Sequence, residues 1–193
     1  MNAKEEFLEI FYDIDREGAD KLLDWLEKSD FFIAPASGRR HSNFKGGLCE
    51  HSVLVYKRLV KLLEGEYGAD WSKKVSPESV AIVGLLHDVC KVGTYTEDVR
   101  NVKVDGRWEQ KPYWKYEDTL PYGHGEKSVY MLSAFIKLTR EEALAINWHM
   151  GGFDARLQTG GYALGDVYYK YPVAFLLHIA DLSATYLDEH IEE

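Results

Sequence analysis

Residues 79–90 read Ser-Val-Ala-Ile-Val-Gly-Leu-Leu-His-Asp-Val-Cys, and Lys91 follows directly. At helical pitch this run is apolar on every side, so it has to lie inside the protein. It nevertheless delivers an imidazole and a carboxylate, His87 and Asp88, to its C-terminal end. That end carries the partial negative charge of the helix dipole, which disfavours a further anion. A buried carboxylate without a partner tends to protonate rather than stay charged. A cation must therefore accompany Asp88, and a divalent metal is the economical candidate.

The helix carrying this pair starts cleanly, with Ser76 as cap, Pro77 in the first position and Glu78 at the positive end. Apolar spacing predicts further helices over 3–14, 18–29 and 47–64. Leu22, Leu23, Trp25 and Leu26 form the stripe of the second. In the third, Leu48, Val55, Leu59 and Leu62 recur beside His51, after a loop holding Arg39, Arg40, His41 and Lys45. The period then changes over residues 94–116, where Val99, Val102, Val104, Trp108, Tyr113 and Trp114 flank Asp105-Gly106. An Asp-Gly pair between β-rich arms is a strong hairpin signal. Helices are expected again over 124–138 and 140–150, the latter opened by a Thr139/Glu142 capping box. A glycine-rich loop (Gly151, Gly152, Gly160, Gly161, Gly165) precedes a last helix from Pro172 to about His190. The expected fold is one all-α domain over 1–193 with an inserted β-hairpin at about 94–116.

Composition narrows the function. With 193 residues, 46% hydrophobic and 28% charged, the chain suits a single globular core. No apolar run reaches the roughly 18 residues of a membrane span. The opening Met-Asn-Ala-Lys-Glu-Glu has no signal core. Cys49 and Cys90 are expected as reduced thiols, which places the protein in the cytoplasm. A net charge of −9 weighs against extended nucleic acid, which needs a basic surface, but not against a nucleotide drawn in by a local metal.

Five ionisable positions share apolar or helix-end settings with Asp88: His51, His87, His124, His149 and Asp181. Taken singly, each has a plain reading: a core histidine, a chance His-Asp dipeptide, or an Asp holding a helix end or an Arg. As a set they bring ionisable groups to several apolar elements at once. Imidazole and carboxylate together suit borderline divalent metals such as zinc, iron, manganese, nickel or cobalt, with coordination positions left for water.

The order His51, His87-Asp88, His124, His149, Asp181 resembles the HD-domain superfamily of metal-dependent phosphohydrolases. Locally, Gly46-Gly-Leu-Cys-Glu-His-Ser, Leu85-Leu-His-Asp-Val-Cys-Lys-Val, Tyr122-Gly-His-Gly and Leu177-His-Ile-Ala-Asp are similar to the HD domain of bacterial 3′–5′ exoribonucleases. The resemblance covers about residues 41–186, the metal-binding core, with residues 1–40 as preceding helices. It implies a helical bundle in which His51, His87, Asp88 and Asp181 hold one metal. His124 and His149 match the extra histidines of two-metal members, with Asp88 bridging. The chain departs from those exoribonucleases by lacking their oligonucleotide-binding barrel and by inserting the aromatic hairpin. Both departures count against a processive RNA function.

One or two divalent metals would lower the pKa of bound water and clamp an in-line displacement at phosphorus. No serine triad or nucleophile elbow is present. Asp88 and Lys91 are the expected catalytic groups, Lys91 neutralising charge on the phosphoryl oxygens or simply complementing the helix dipole as a solvated lysine. Arg40 and Lys45, with Arg39, either grip a second phosphate or belong to a solvated loop. Tyr122 and Trp148 are the candidates for stacking on a base; core packing is the alternative. In the hairpin, Arg100, Lys103, Arg107, Lys111 and Lys115 are cancelled by Glu97, Asp98, Asp105, Glu109, Glu117 and Asp118, which suits a lid or a homodimer contact better than a nucleic-acid track. The expected activity is hydrolysis of a nucleotide or other small phosphoester. A 3′–5′ exonuclease on short single strands and a non-catalytic nucleotide-sensing module are the alternatives.

Overall fold

The computed structural model describes residues 1–159 and 162–189. Its elements run α1 (Ala3–Phe11), α2 (Ala19–Lys28), α3 (Gly47–Tyr67), α4 (Pro77–Leu86), β1 (Tyr95–Val104), β2 (Arg107–Tyr116), α5 (His124–Ser133), α6 (Arg140–Asn147), α7 (Ala163–Lys170) and α8 (Pro172–Ser183). The fold is a helical bundle with one antiparallel hairpin inserted between α4 and α5.

The apolar run forms the buried centre. Every residue from Val80 to Leu86 is buried, so α4 is covered on all sides. Ser76 caps it through the Ser79 amide and Pro77 takes the first turn. The helix closes at Leu86, His87 caps it, and a single 3₁₀ turn at Val89–Lys91 follows. Leu48, Val55 and Leu59 of α3, Leu177 and Ala180 of α8, and Ile146 of α6 are buried in the same core as α4.

Two glycines set the close approaches that matter for the site. A Cβ on Gly84 would stand 2.9 Å from the Tyr56 Cα, so only glycine lets α4 and α3 approach as they do. A Cβ on Gly125 would meet the Asn147 carbonyl oxygen at 2.3 Å, which makes the same argument for α5 against α6. The first approach joins the helices of His51 and His87; the second joins the segments of His124 and His149.

The hairpin pairs in full register from Tyr95↔Tyr116 to Val104↔Arg107. Asp105 (φ 47°) and Gly106 (φ 83°) both adopt the left-handed conformation that a two-residue hairpin turn requires. Its base is tied to the 34–46 loop, where Trp114 Nε1 donates to the Asn43 carbonyl at 2.9 Å and Lys45 meets Glu97 at 2.7 Å. Its tip stands clear, with Trp108 72% exposed.

The C-terminal third corrects two expectations. The glycine-rich stretch is not one loop, because it holds 3₁₀ turns at Gly151–Phe153 and Ala155–Thr159 and then α7. No side chain caps α7 and the helix is only eight residues long, so little in the sequence marks its start. The last helix stops at Ser183 and widens into a π turn over Ala184–Asp188 instead of continuing to His190. Gly160, Gly161 and His190 lie outside the described residues.

Candidate metal centre

Asp88 is 3% exposed and stands where α3, α4, α5, α6 and α8 converge. Its two carboxylate oxygens face different histidines. Oδ1 lies 2.7 Å from His124 Nε2 and 3.4 Å from His149 Nε2. Oδ2 lies 3.3 Å from His51 Nε2 and 3.6 Å from His87 Nε2. Asp181 Oδ1 closes the second group at 3.4 Å from His51 Nε2.

The outer ring nitrogens fix which way the inner ones point. His87 Nδ1 is 3.0 Å from the Gly84 carbonyl, and His149 Nδ1 is 2.7 Å from the Ile146 carbonyl. A carbonyl only accepts, so both Nδ1 atoms carry a proton, and in the neutral ring each Nε2 is left bare. His51 Nδ1 faces Glu189 Oε1 at 2.6 Å, which favours the same tautomer. Burial, which Asp88 only partly offsets, pushes the His87 imidazole down to about 3, so it is neutral at pH 7. For His51, burial also acts to lower the value, but Asp88, Glu189 and Asp181 together raise it to about 9.

This arrangement calls for a cation. The Nε2 atoms of His51 and His87 are 3.1 Å apart, where two bare lone pairs repel unless a proton or metal lies between them. His149 Nε2 is fully buried and has no hydrogen-bond partner among the described residues. Metal–nitrogen bonds of about 2.1 Å place neighbouring donors roughly 3.0–3.5 Å apart, close to the spacings found here. Among the described residues, four sets have donor atoms within 4.8 Å of one another: His51, His87 and Asp181; His87, Asp88 and His149; Asp88, Cys90 and His124; and His41, His51 and Glu189. The residues present therefore fit divalent metal, by donor chemistry and by an orphaned buried nitrogen.

Lys91 Nζ contacts Asp88 Oδ2 at 2.6 Å. Burial acts to lower its pKa, but Asp88 outweighs this and holds it above the usual lysine value, so it stays charged. Cys90 Sγ packs 3.5 Å from His124 Nε2, and burial pushes the thiol up to about 12, so it is not a thiolate.

A cavity of about 700 Å³ opens over the centre, with Asp88, Lys91, His124 and Asp181 on its lining and Tyr95, Phe153 and Tyr186 among its walls. Of the residues expected to touch substrate, Arg40 lines this cavity. Tyr122 borders a smaller neighbouring cavity of about 220 Å³ together with His124 and Lys91, stacked on Tyr130. Lys45 is spent on Glu97 at the hairpin base and does not line the main cavity. Trp148 does not line it either: it is 8% exposed, with the Arg156 guanidinium 4.0 Å above its ring, so the stacking role expected of it is not met.

Several residues at the site escaped the sequence reading. Glu189 joins His41 and His51, and His178, on the cavity lining, hydrogen-bonds the His149 carbonyl at 2.7 Å. His41 and His178 were visible only as isolated histidines, and Glu189 carried no motif. No curated protein and no solved structure matches the chain significantly. A family model described as HD domain does match, over residues 48–184, and its span takes in His51, His87, Asp88, His124, His149 and Asp181. With that match covering most of its length, the chain belongs to the HD domain family and is a metal-dependent phosphohydrolase.

Proposed function

We propose that the protein hydrolyses a phosphoester of a nucleotide or similarly small phosphorylated compound at a two-ion centre. His51, His87, Asp88 and Asp181 would hold one ion, and Asp88, His124 and His149 would hold the other. The observation that carries this reading is the division of the Asp88 oxygens between two groups of inward-facing Nε2 atoms. Iron, manganese, zinc, nickel and cobalt all suit such donors. When bound, these ions polarise the phosphoryl oxygen and supply a water acidic enough to attack at neutral pH.

The protein's own groups do the rest. Lys91 stays protonated beside Asp88 and donates from Nζ to a phosphoryl oxygen as charge grows there. Arg40, at the cavity mouth, takes a second anionic group of the substrate. Tyr95 and Tyr186 offer flat walls to the remainder. A cavity of about 700 Å³ is within the size of small-molecule sites and suits one such ligand better than a strand. The free, buried Cys49 and Cys90 support a reducing compartment such as the cytoplasm. No helix among the described residues is long and apolar enough to cross a membrane.

The decisive measurement is catalytic efficiency against mono-, di- and decanucleotides at low and moderate salt. A small-substrate enzyme shows no gain with length and a shallow salt slope. Efficiency that climbs with length, with a salt slope worth several phosphates, would install the exonuclease instead.

A further inference from the structure

Glu189 lies just past the π turn that ends α8, and its side chain is fully buried. Its two oxygens each take one imidazole: Oε1 is 2.6 Å from His51 Nδ1, and Oε2 is 2.7 Å from His41 Nδ1. These are hydrogen-bond lengths, shorter than the roughly 3.0–3.5 Å between two donors on one ion, and each oxygen serves a single ring. On the other side of its ring, His51 turns Nε2 toward Asp88 and Asp181. A neutral imidazole carries one proton, and without an acceptor at Nδ1 it would place that proton on Nε2. His51 would then donate to Asp88 or Asp181 and have no lone pair to offer. The segment is anchored to the helix that bears His51, because Asp188 pairs with Arg58 of α3.

We propose that Glu189 is a positioning residue for His51: its carboxylate accepts the Nδ1 proton, fixes the tautomer and leaves Nε2 free to bind metal. His41 holds the opposite oxygen and keeps the carboxylate from rotating away. The site is thus completed by the chain beyond α8, outside the matched span of residues 48–184. This inference rests on the reading of His51 as a ligand.

The test is cobalt(II) titration of the purified, metal-stripped protein, followed by visible absorption, in wild type and in Glu189→Ala, Glu189→Gln, Arg58→Ala and His51→Ala. Loss of an outer partner of a ligating histidine costs about 10–100-fold in metal affinity, which is the drop expected for Glu189→Ala. Glu189→Gln should recover most of it, because an amide oxygen also accepts the Nδ1 proton. Arg58→Ala loosens the same segment but keeps the Glu189 carboxylate, and should lose clearly less affinity than Glu189→Ala. Nitrogen-15 spectra of the zinc-loaded wild type should show His51 protonated at Nδ1, a readout that survives even if Glu189→Ala fails to fold. Wild-type affinity in Glu189→Ala, a Gln variant as weak as Ala, an Arg58→Ala loss as large as that of Glu189→Ala, or a His51 protonated at Nε2 would each overturn the proposal. Undiminished binding in His51→Ala would instead remove the ligand assignment beneath it.

Discussion

Stripping the metal should cost the protein stability as well as activity, and the amount follows from how the donors are shared. An ion that binds only the native state stabilises it by about 2.7 kcal/mol at a hundred times its Kd. For a chain of this length, 1 kcal/mol corresponds to roughly 2–4 °C in melting temperature. One occupied site therefore contributes about 5–11 °C, and two contribute about twice that if they fill independently. Asp88 makes the variants distinguishable. Because Oδ1 faces His124 and His149 while Oδ2 faces His51 and His87, His124→Ala should lose one share of the metal-dependent shift. Asp88→Asn should lose nearly all of it. The assay is calorimetric melting of metal-stripped and reloaded protein, with metal content verified by elemental analysis. A melting temperature unchanged after verified removal would refute the buried two-ion reasoning. Equal losses in His124→Ala and Asp88→Asn would refute the division of the carboxylate.

Further outcomes test the chemistry and the scaffold. Asp88→Ala should abolish hydrolysis and deplete both ions, checked by turnover and elemental analysis on the same preparation. Lys91→Met should lower kcat by about 10²–10³, the usual loss for one electrostatic donor at a developing charge; an unchanged kcat would return Lys91 to a structural role. Arg16 binds Glu142 and Glu78 at 2.6 Å each, so Arg16→Met should destabilise by about 3 kcal/mol near neutral pH by leaving buried Glu142 unpaired. Burial pushes the Glu142 carboxyl up, but Arg16, Ser79 and the Thr139 amide together hold it below its ordinary value. Its contribution is therefore present above pH of about 4.3 and fades as pH falls further, so the gap between wild type and variant, read by denaturant melts, should narrow in acid.

How far the sequence could be read depended on whether a residue's role is set locally or by contacts across the fold. The run from Val80 to Leu86 is apolar on all faces, so its burial was legible without any partner in view. The hairpin was legible because Asp105 and Gly106 alone dictate the turn. The capping box of Thr139 and Glu142 was legible because both halves lie within one turn. Trp148 shows where adjacency misleads. Trp148 caps α6 and His149 lies in the turn beyond it, and the two side chains diverge, Trp148 toward Arg156 and His149 toward Asp88. Lys45 failed for a related reason, since its partner Glu97 belongs to the hairpin and no spacing rule links the two.

Glu189 was the least legible residue at the site, and the cause is geometric. A regular helix through to His190 would have given its residues a fixed relation to Asp181, but the π turn over Ala184–Asp188 changes the pitch and swings the chain back over α3. That return depends on Arg58 meeting Asp188 and on His51 and His41 meeting Glu189, contacts between residues far apart in the chain. The inward-facing histidines and aspartates could be picked out from sequence because each ionisable group interrupts an apolar pattern. An outer partner interrupts nothing: it is a carboxylate in an acidic chain end, and only the folded chain places it against an imidazole. Residues that break an apolar pattern are therefore easier to infer from sequence than the partners that orient them, although on the two-ion proposal removing either kind should weaken the same ion.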